Sequence, residues 1–174
     1  MPARYFRTPG PLEVAKLTGN EDKLVEALRH VKSEKSRRQG RTSQVLAILR
    51  ETDSPRVRNA AAIALADMKV TTAKDELIKL LSRNETKNSR GSLLYALEEM
   101  NAEIPLSVLA DIIAGNEYEA REEALRFLEH QEYDTAEIRR TKQKLKRSLG
   151  SNKEQAEAIS TAVNYLSKPL IRKK

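Results

Sequence analysis

The sequence lacks or is short of several residue types, and each shortage excludes a class of structure or chemistry. It has no cysteine, which excludes disulfide bonds, thiolate metal sites and a cysteine nucleophile. It has no tryptophan, and aromatic residues make up only 4% of the 174 residues. Only six glycines and six prolines are available for turns. A fold of many short strands is therefore not expected, and a core of Leu, Ile, Val and Ala favours packed helices.

Long apolar runs are absent as well. No segment approaches the roughly 20 consecutive apolar residues that a membrane-spanning helix needs. The first residues, MPARYFRTPGPLEV, contain no apolar stretch of the kind that forms the centre of a signal peptide. Together with the absence of cysteine, these features lead us to expect a soluble protein of the cytoplasm.

Residue patterns that perform catalysis or hold cofactors are missing. The two histidines, His30 and His130, each stand alone near the end of a predicted helix. No HExxH, CxxC or DxDxDG spacing occurs, and no GxSxG or glycine-rich phosphate loop occurs either. The adjacent carboxylates Glu98–Glu99 and Glu122–Glu123 do not face each other on a helix, so they are poor acid–base pairs. The sequence predicts no enzyme, no catalytic residue, no metal site and no cofactor.

The chain does contain a repeat of about 32 residues. Two sets of positions in one predicted helix of each unit return at steps of 32 and 31, namely Arg58, Arg90, Arg121 and Leu65, Leu97, Leu128. Paired aliphatic residues in the other helix return at a step of 32, namely Ile48–Leu49, Leu80–Leu81 and Ile112–Ile113. Agreement of several positions in two helices predicts tandem helical hairpins that share one core.

A polar residue precedes each repeated arginine by five positions, and these residues are Asp53, Glu85 and Asn116. Side chains that accept hydrogen bonds at the start of a helix satisfy its free backbone N–H groups. The same side chains could pair with the arginine of their own or the next unit. We therefore predict a polar ladder where the units stack.

The stretch SPRVRNAAAIALADM followed by AKDELIKLL resembles the HEAT repeat, particularly the variety first noted in phycobilisome lyases. The units at RGSLLYALEEM and AREEALRFLEH keep the arginine, the alanine and the leucine of this pattern. The resemblance covers residues 42–130 well, and the two ends match by spacing only, as terminal repeats often do. It implies an all-α fold, a short α-solenoid of about five HEAT-like helical hairpins. It also implies that the second helix of each hairpin lines the concave face.

The predicted layout is an N-terminal tail at 1–10, a solenoid at 11–167 with a basic link at 33–41, and a basic C-terminal tail at 168–174. Helices are predicted at 11–18, 22–35, 42–51, 54–68, 72–83, 88–100, 104–114, 118–130, 135–149 and 152–167. Gly115 and Gly150 are predicted to end helices, because glycine favours that position. Tyr95 and Phe127 fall on the apolar stripe and are predicted to be core residues.

Charge is segregated along the chain, whose net charge is +7 and whose isoelectric point is about 9.6. Residues 29–58 contain nine basic side chains and three acidic ones, and residues 139–174 contain eleven and two. Residues 98–137, between them, contain twelve acidic side chains and two basic ones. A basic balance favours acidic partners such as nucleic acids, but the acidic block would repel a duplex lying along the whole chain.

These observations leave two functions open. The leading hypothesis is a protein-binding module, either an interaction scaffold or a small inhibitor of the immunity-protein type, that uses the concave face. The alternative is binding of duplex DNA or structured RNA through residues 32–41 and 139–147. The candidate binding residues are Arg37, Arg38, Arg41, Arg58, Arg90, Arg121, Arg139, Arg140, Lys144 and Arg147.

Two further classes are related by resemblance. A lyase-like chaperone, as in the namesakes of the repeat, has no residue here to support it. The HEAT-like alkylpurine DNA glycosylases share the architecture and basic character, but they rely on aromatic residues that include tryptophan, which this chain lacks.

Overall fold

A computed structural model describes residues 10–31, 38–150 and 152–168, except for the side chains of residues 11, 38 and 39. Within these ranges the chain forms ten α-helices and short 3₁₀ turns, and no β-strand. The prediction of an all-α solenoid is confirmed.

The helices are α1 (Pro11–Thr18), α2 (Glu21–His30), α3 (Arg38–Glu51), α4 (Pro55–Asp67), α5 (Lys74–Leu81), α6 (Arg90–Glu99), α7 (Leu106–Ile113), α8 (Tyr118–His130), α9 (Thr135–Arg147) and α10 (Lys153–Tyr165). Most bounds lie within two residues of the predicted ones. The largest difference at a helix start is α3, which begins at Arg38 and includes Gly40, so residues 38–41 of the predicted link are helical. Residues 1–9, 32–37 and 169–174 lie outside the described residues.

The chain divides into two compact units, residues 1–73 and residues 74–174. In the N-terminal unit α1 packs on α2, α3 packs on α4, and α2 packs against α4. The hydroxyl of Ser54 donates a hydrogen bond to Glu21 at 2.7 Å, and the guanidinium of Arg56 donates one to Asp22 at 2.9 Å. These contacts hold the N-terminal ends of α2 and α4 side by side.

The C-terminal unit consists of three helical hairpins, α5–α6, α7–α8 and α9–α10. Helix α8 packs against α6 on one side and α10 on the other, so these second helices form one layer, the second-helix layer. Helix α9 packs against α7 and α10. The repeated aliphatic positions are buried here, with Leu97, Leu128 and Ile113 no more than 1% exposed. The 32-residue period in the sequence is therefore the period of the core.

Two helices end in left-handed residues that are not glycine. Lys69 after α4 has φ 54°, and Asn101 after α6 has φ 51°. Beyond each, the chain turns back and a backbone N–H bonds the helix end, from Val70 to Leu65 at 3.0 Å and from Ala102 to Leu97 at 2.9 Å. Gly115, which was predicted to end a helix, follows α7 without a left-handed φ.

Candidate interaction surfaces

The three repeated arginines lie in the core. Arg58 is 4% exposed, Arg90 is 7% exposed and Arg121 is 2% exposed. Each arginine lies near the start of the second helix of its hairpin. Arg90 is the first residue of α6, and Arg58 and Arg121 are the fourth residues of α4 and α8. A buried guanidinium must find hydrogen-bond acceptors, because taking a charge out of water is otherwise very costly.

Two of these arginines bind the turn of their own hairpin. The Nη2 of Arg58 donates to the carbonyl oxygens of Thr52 and Asp53 at 3.3 and 3.4 Å. The Nη1 of Arg121 donates to the carbonyl oxygen of Gly115 at 3.3 Å. These carbonyls lie in the turn between the two helices, where no helical N–H bonds them, so the arginine satisfies them and fixes the turn against the second helix.

The arginines of the C-terminal unit also reach the next hairpin. Arg90 on α6 pairs with Glu117 at the start of α8 at 3.5 Å, and Arg121 on α8 pairs with Glu154 on α10 at 3.6 Å. A polar ladder therefore joins the three hairpins, but not through the predicted side chains of Asp53, Glu85 and Asn116. Its carboxylates, Glu117 and Glu154, differ from those expected. Glu117 follows Arg90 by 27 residues, and Glu154 follows Arg121 by 33 residues. Because these two spacings differ, the repeat in the sequence does not identify the carboxylates.

The carboxylate of Glu117 is partly buried beside Arg90. Burial raises the pKa of Glu117 above its ordinary value of 4.5, while the nearby positive charges of Arg90 and Lys87 partly oppose the shift. Glu154, by contrast, is 72% exposed in its side chain. The two steps of the ladder therefore differ in how much water reaches the carboxylate.

The second-helix layer presents an acidic surface. Its exposed carboxylates are Glu98, Glu99, Glu119, Glu122, Glu129, Glu154 and Glu157. Tyr95 and Tyr118 also lie exposed on this layer, at 48% and 62%. Phe127 is buried as predicted, but the prediction that Tyr95 is a core residue is wrong. Tyr95 falls just outside the stripe of α6 that packs inward at Leu93, Leu94 and Leu97.

Part of this acidic surface is tied together by ion pairs. Arg126 on α8 pairs with Glu98 on α6 at 3.4 Å and with Glu123 on its own helix. The guanidinium carbon of Arg121 lies 5.9 Å from the ring centroid of Tyr118, so the ring covers a buried charge. The tyrosine is therefore held in place although its ring faces solvent.

Helix α9 presents the opposite charge. Ile138, Thr141 and Leu145 are its buried residues. Two of its cations are tied to neighbours: Lys144 pairs with Asp111 on α7 at 2.6 Å, and Lys142 donates to the hydroxyl of Ser167 at 2.7 Å. The remaining cations, Arg139, Arg140, Lys146 and Arg147, are exposed, and none forms an ion pair within the described ranges.

Of the candidate binding residues of the N-terminal unit other than Arg58, the structure describes the side chain of Arg41 alone. Arg37 lies outside the described residues, and Arg38 begins α3 with its side chain outside them. Arg41 lies on α3 and has a partner. The structure therefore brings Arg139, Arg140, Lys144 and Arg147 together on one helix and places Arg58, Arg90 and Arg121 in the core.

The described residues offer no metal-binding cluster and no membrane-spanning helix. No group of three or more His, Cys, Asp or Glu side chains among the described residues could hold a metal ion. No helix in the described part of the chain is both long enough and apolar enough to span a membrane. The ring nitrogen Nε2 of His30 lies 2.9 Å from Glu26, and Nδ1 of His130 lies 2.7 Å from the carbonyl oxygen of Arg126. Both histidines thus sit on exposed helix ends with local partners.

Tandem helical hairpins that pack on one another within each unit, with a buried arginine repeated in three of them, define helical repeats of the α-solenoid kind. The family model for HEAT repeats matches residues 42–129, half of the chain, and the protein belongs to the HEAT-repeat family. The match does not extend to the narrower variety found in phycobilisome lyases. Comparison with the curated proteins and with the solved structures gave no match.

Proposed function

We propose that the protein is a non-enzymatic protein-binding module that holds its partner on the acidic surface of the second-helix layer. The observation that carries this proposal is the exposure of Tyr95 and Tyr118 among carboxylates on adjacent helices. Large, rigid aromatic side chains supply much of the binding energy of protein interfaces. The surrounding carboxylates would give the interface its orientation and its choice of partner.

The helices beneath this surface support the same proposal. A solenoid whose hairpins share a packed core presents side chains from several repeats at fixed spacing, which suits recognition of an extended protein surface. Arg90 and Arg121 contribute indirectly, because they join consecutive hairpins and hold that spacing. The proposal covers an interaction scaffold and a small inhibitor of the immunity-protein type, acting in the cytoplasm.

The first test uses the intact chain as bait in a lysate of the native host, followed by purification of the captured protein. Binding of that purified partner is then measured by calorimetry for the wild type and for Tyr95→Ala/Tyr118→Ala. We expect at least a roughly 30-fold loss of affinity, the size expected when an aromatic hot spot is truncated. The matched control is Lys79→Ala/Arg83→Ala, which truncates two exposed side chains away from the layer. Equal affinity of the tyrosine variant and the control would refute this surface.

A second candidate function is nucleic-acid binding, and one observation favours it. Helix α9 carries four exposed cations that no carboxylate neutralises among the described residues. The test is fluorescence anisotropy with a labelled 20-base-pair duplex and a structured RNA, at low and at moderate salt. Binding that weakens steeply with salt would support this function, and no binding at low salt would exclude it.

A further inference from the structure

The exposed cations of α9 follow one side of the helix. Lys146 and Arg147 follow Arg139 by seven and eight residues, which is close to two helical turns. The polar Gln143 lies between them. Arg140 lies on the flank toward Lys144, which binds Asp111 of α7. At a rise of about 1.5 Å per residue, the charges span about 12 Å along the helix. This row is backed by a buried stripe, so its positions are held by the core.

Acidic groups near this row are already engaged. Asp134 caps α9 by accepting from the backbone N–H of Ala136 at 2.7 Å, and Glu137 accepts from the backbone N–H of Leu106 at 3.0 Å. Asp111 is occupied by Lys144. Among the described residues of the C-terminal unit, no carboxylate forms an ion pair with Arg139, Arg140, Lys146 or Arg147.

The acidic block of the sequence lies mainly elsewhere. Most of its exposed carboxylates belong to α6 and α8 in the second-helix layer, whereas α9 packs beside α7 and α10. In the linear sequence this block predicts repulsion of a polyanion that lies along the whole chain. In the folded C-terminal unit most of these exposed carboxylates lie on α6 and α8, so the block as a whole does not follow α9.

The chemistry of the row selects among anionic partners. Helix α9 contains no aromatic residue, and the exposed tyrosines Tyr95 and Tyr118 lie on α6 and α8. The row therefore offers no platform on which unpaired bases could stack. A membrane surface is not favoured either, because the apolar stripe of α9 is buried in the fold and cannot enter a bilayer. A duplex, with its regular rows of phosphates, remains the best match to a rigid row of cations.

We propose that α9 binds the phosphate backbone of a double-stranded nucleic acid through Arg139, Arg140, Lys146 and Arg147. This inference rests on the second candidate function and assigns its site and its class of ligand. Contacts of this kind position a protein on a duplex without reading the base sequence.

The test measures anisotropy of labelled duplex DNA and duplex RNA of one sequence, with the full chain, from 50 to 200 mM salt. Four phosphate contacts predict a slope of about −3.6 in log affinity against log salt, and thus a fall of about 100-fold over this range. The test variant replaces Arg139, Arg140, Lys146 and Arg147 by Gln, and it should bind with a nearly flat salt dependence. The control replaces four other exposed cations by Gln, namely Lys79, Arg83, Lys87 and Lys153, and should keep the wild-type slope. Circular dichroism establishes that both variants remain helical.

The outcomes separate the site from the function. If the wild type does not bind either duplex at 50 mM salt, the second candidate function and this site both fail. If the wild type binds but the α9 variant and the control lose affinity equally, the function stands and the assignment to α9 fails. Equal or tighter binding of the single strand, of polyglutamate or of vesicles rich in phosphatidylglycerol would overturn the duplex assignment. Loss confined to the α9 variant, with preference for either duplex, supports it.

Discussion

Helices α8 and α9 are consecutive, each has 13 residues, and both are densely charged, yet their charges are used differently. In α8 Arg121 is buried and paired with Glu154, and Arg126 bridges Glu98 and Glu123. In α9 Lys142 and Lys144 have partners, whereas Arg139, Arg140, Lys146 and Arg147 face solvent without an ion pair in the described ranges. The arginines of α8 therefore form ion pairs that connect the helices, whereas the four unpaired cations of α9 are available to a ligand.

The helix dipole does not explain the unpaired positive charges in the middle of α9. Glu117 and Glu119 lie at the start of α8, where negative charge is favourable, and Lys146 and Arg147 lie at the end of α9, where positive charge is favourable. Arg139 and Arg140, however, lie near the middle of α9. Their charges gain little from the dipole and repel Lys142 and Lys144 one turn away. Folding alone does not account for them.

The largest effect should come from removing the buried charge of α8. Arg121→Ala removes the contacts to Gly115 and Glu154 and leaves a cavity where the side chain was 2% exposed. We expect the free energy of unfolding to fall by about 3 kcal/mol, because a long side chain is lost from the core together with its hydrogen bonds. Chemical denaturation followed by circular dichroism measures the change.

The matched control is Arg140→Ala on α9, the same replacement at an exposed position. Surface substitutions of this kind change the free energy of unfolding by no more than about 0.5 kcal/mol. Similar losses from both variants would contradict the division between structural charge on α8 and free charge on α9.

A smaller effect of opposite sign should follow from reversing one charge on α9. Arg139→Glu removes the repulsion of Lys142 three residues away and replaces it with an attraction. We expect the free energy of unfolding to rise by about 0.5 kcal/mol at low salt, and the gain to shrink at high salt as the charges are screened. Denaturation at both salt concentrations measures it, with Gln143→Glu, which adds a carboxylate without removing a cation, as the comparison. A loss of stability from Arg139→Glu would indicate that Arg139 has a structural role.

Much of this contrast could be predicted from the sequence. The 32-residue period identified the hairpins and their core, because packing of repeats requires apolar residues at constant positions. The density of cations between Arg139 and Arg147 was visible directly. The repeated arginines are a periodic feature of the sequence, and they predict a ladder where the units stack.

Other features depend on which side of a helix a residue takes, and the sequence did not settle them. Arg121 and Arg140 are the same residue type on neighbouring helices, and only the packing of α8 against α7 makes one of them a core residue. Tyr95 lies beside the apolar stripe of α6. Its neighbour Leu94 is buried while Tyr95 is exposed, so an error of one position in the predicted buried face assigns Tyr95 to the core. The period does not identify Glu117 and Glu154, because loop lengths differ between hairpins and the spacing of these residues departs from the period.

The smallest effect concerns the pH dependence of the ladder at the start of α8. Burial raises the pKa of Glu117 above its ordinary value of 4.5, so the folded protein holds this proton more tightly than the unfolded chain. The stabilisation that Glu117 contributes through its proton is therefore complete below pH 4.5 and is lost as the pH rises through its folded pKa. Glu117→Gln should remove this component, and the difference in unfolding free energy between wild type and variant should change with pH just above 4.5. Denaturation at a series of pH values measures it, with Glu154→Gln as control. A carboxyl resonance of Glu117 that titrates below 4.5 would show instead that the charge of Arg90 dominates over burial.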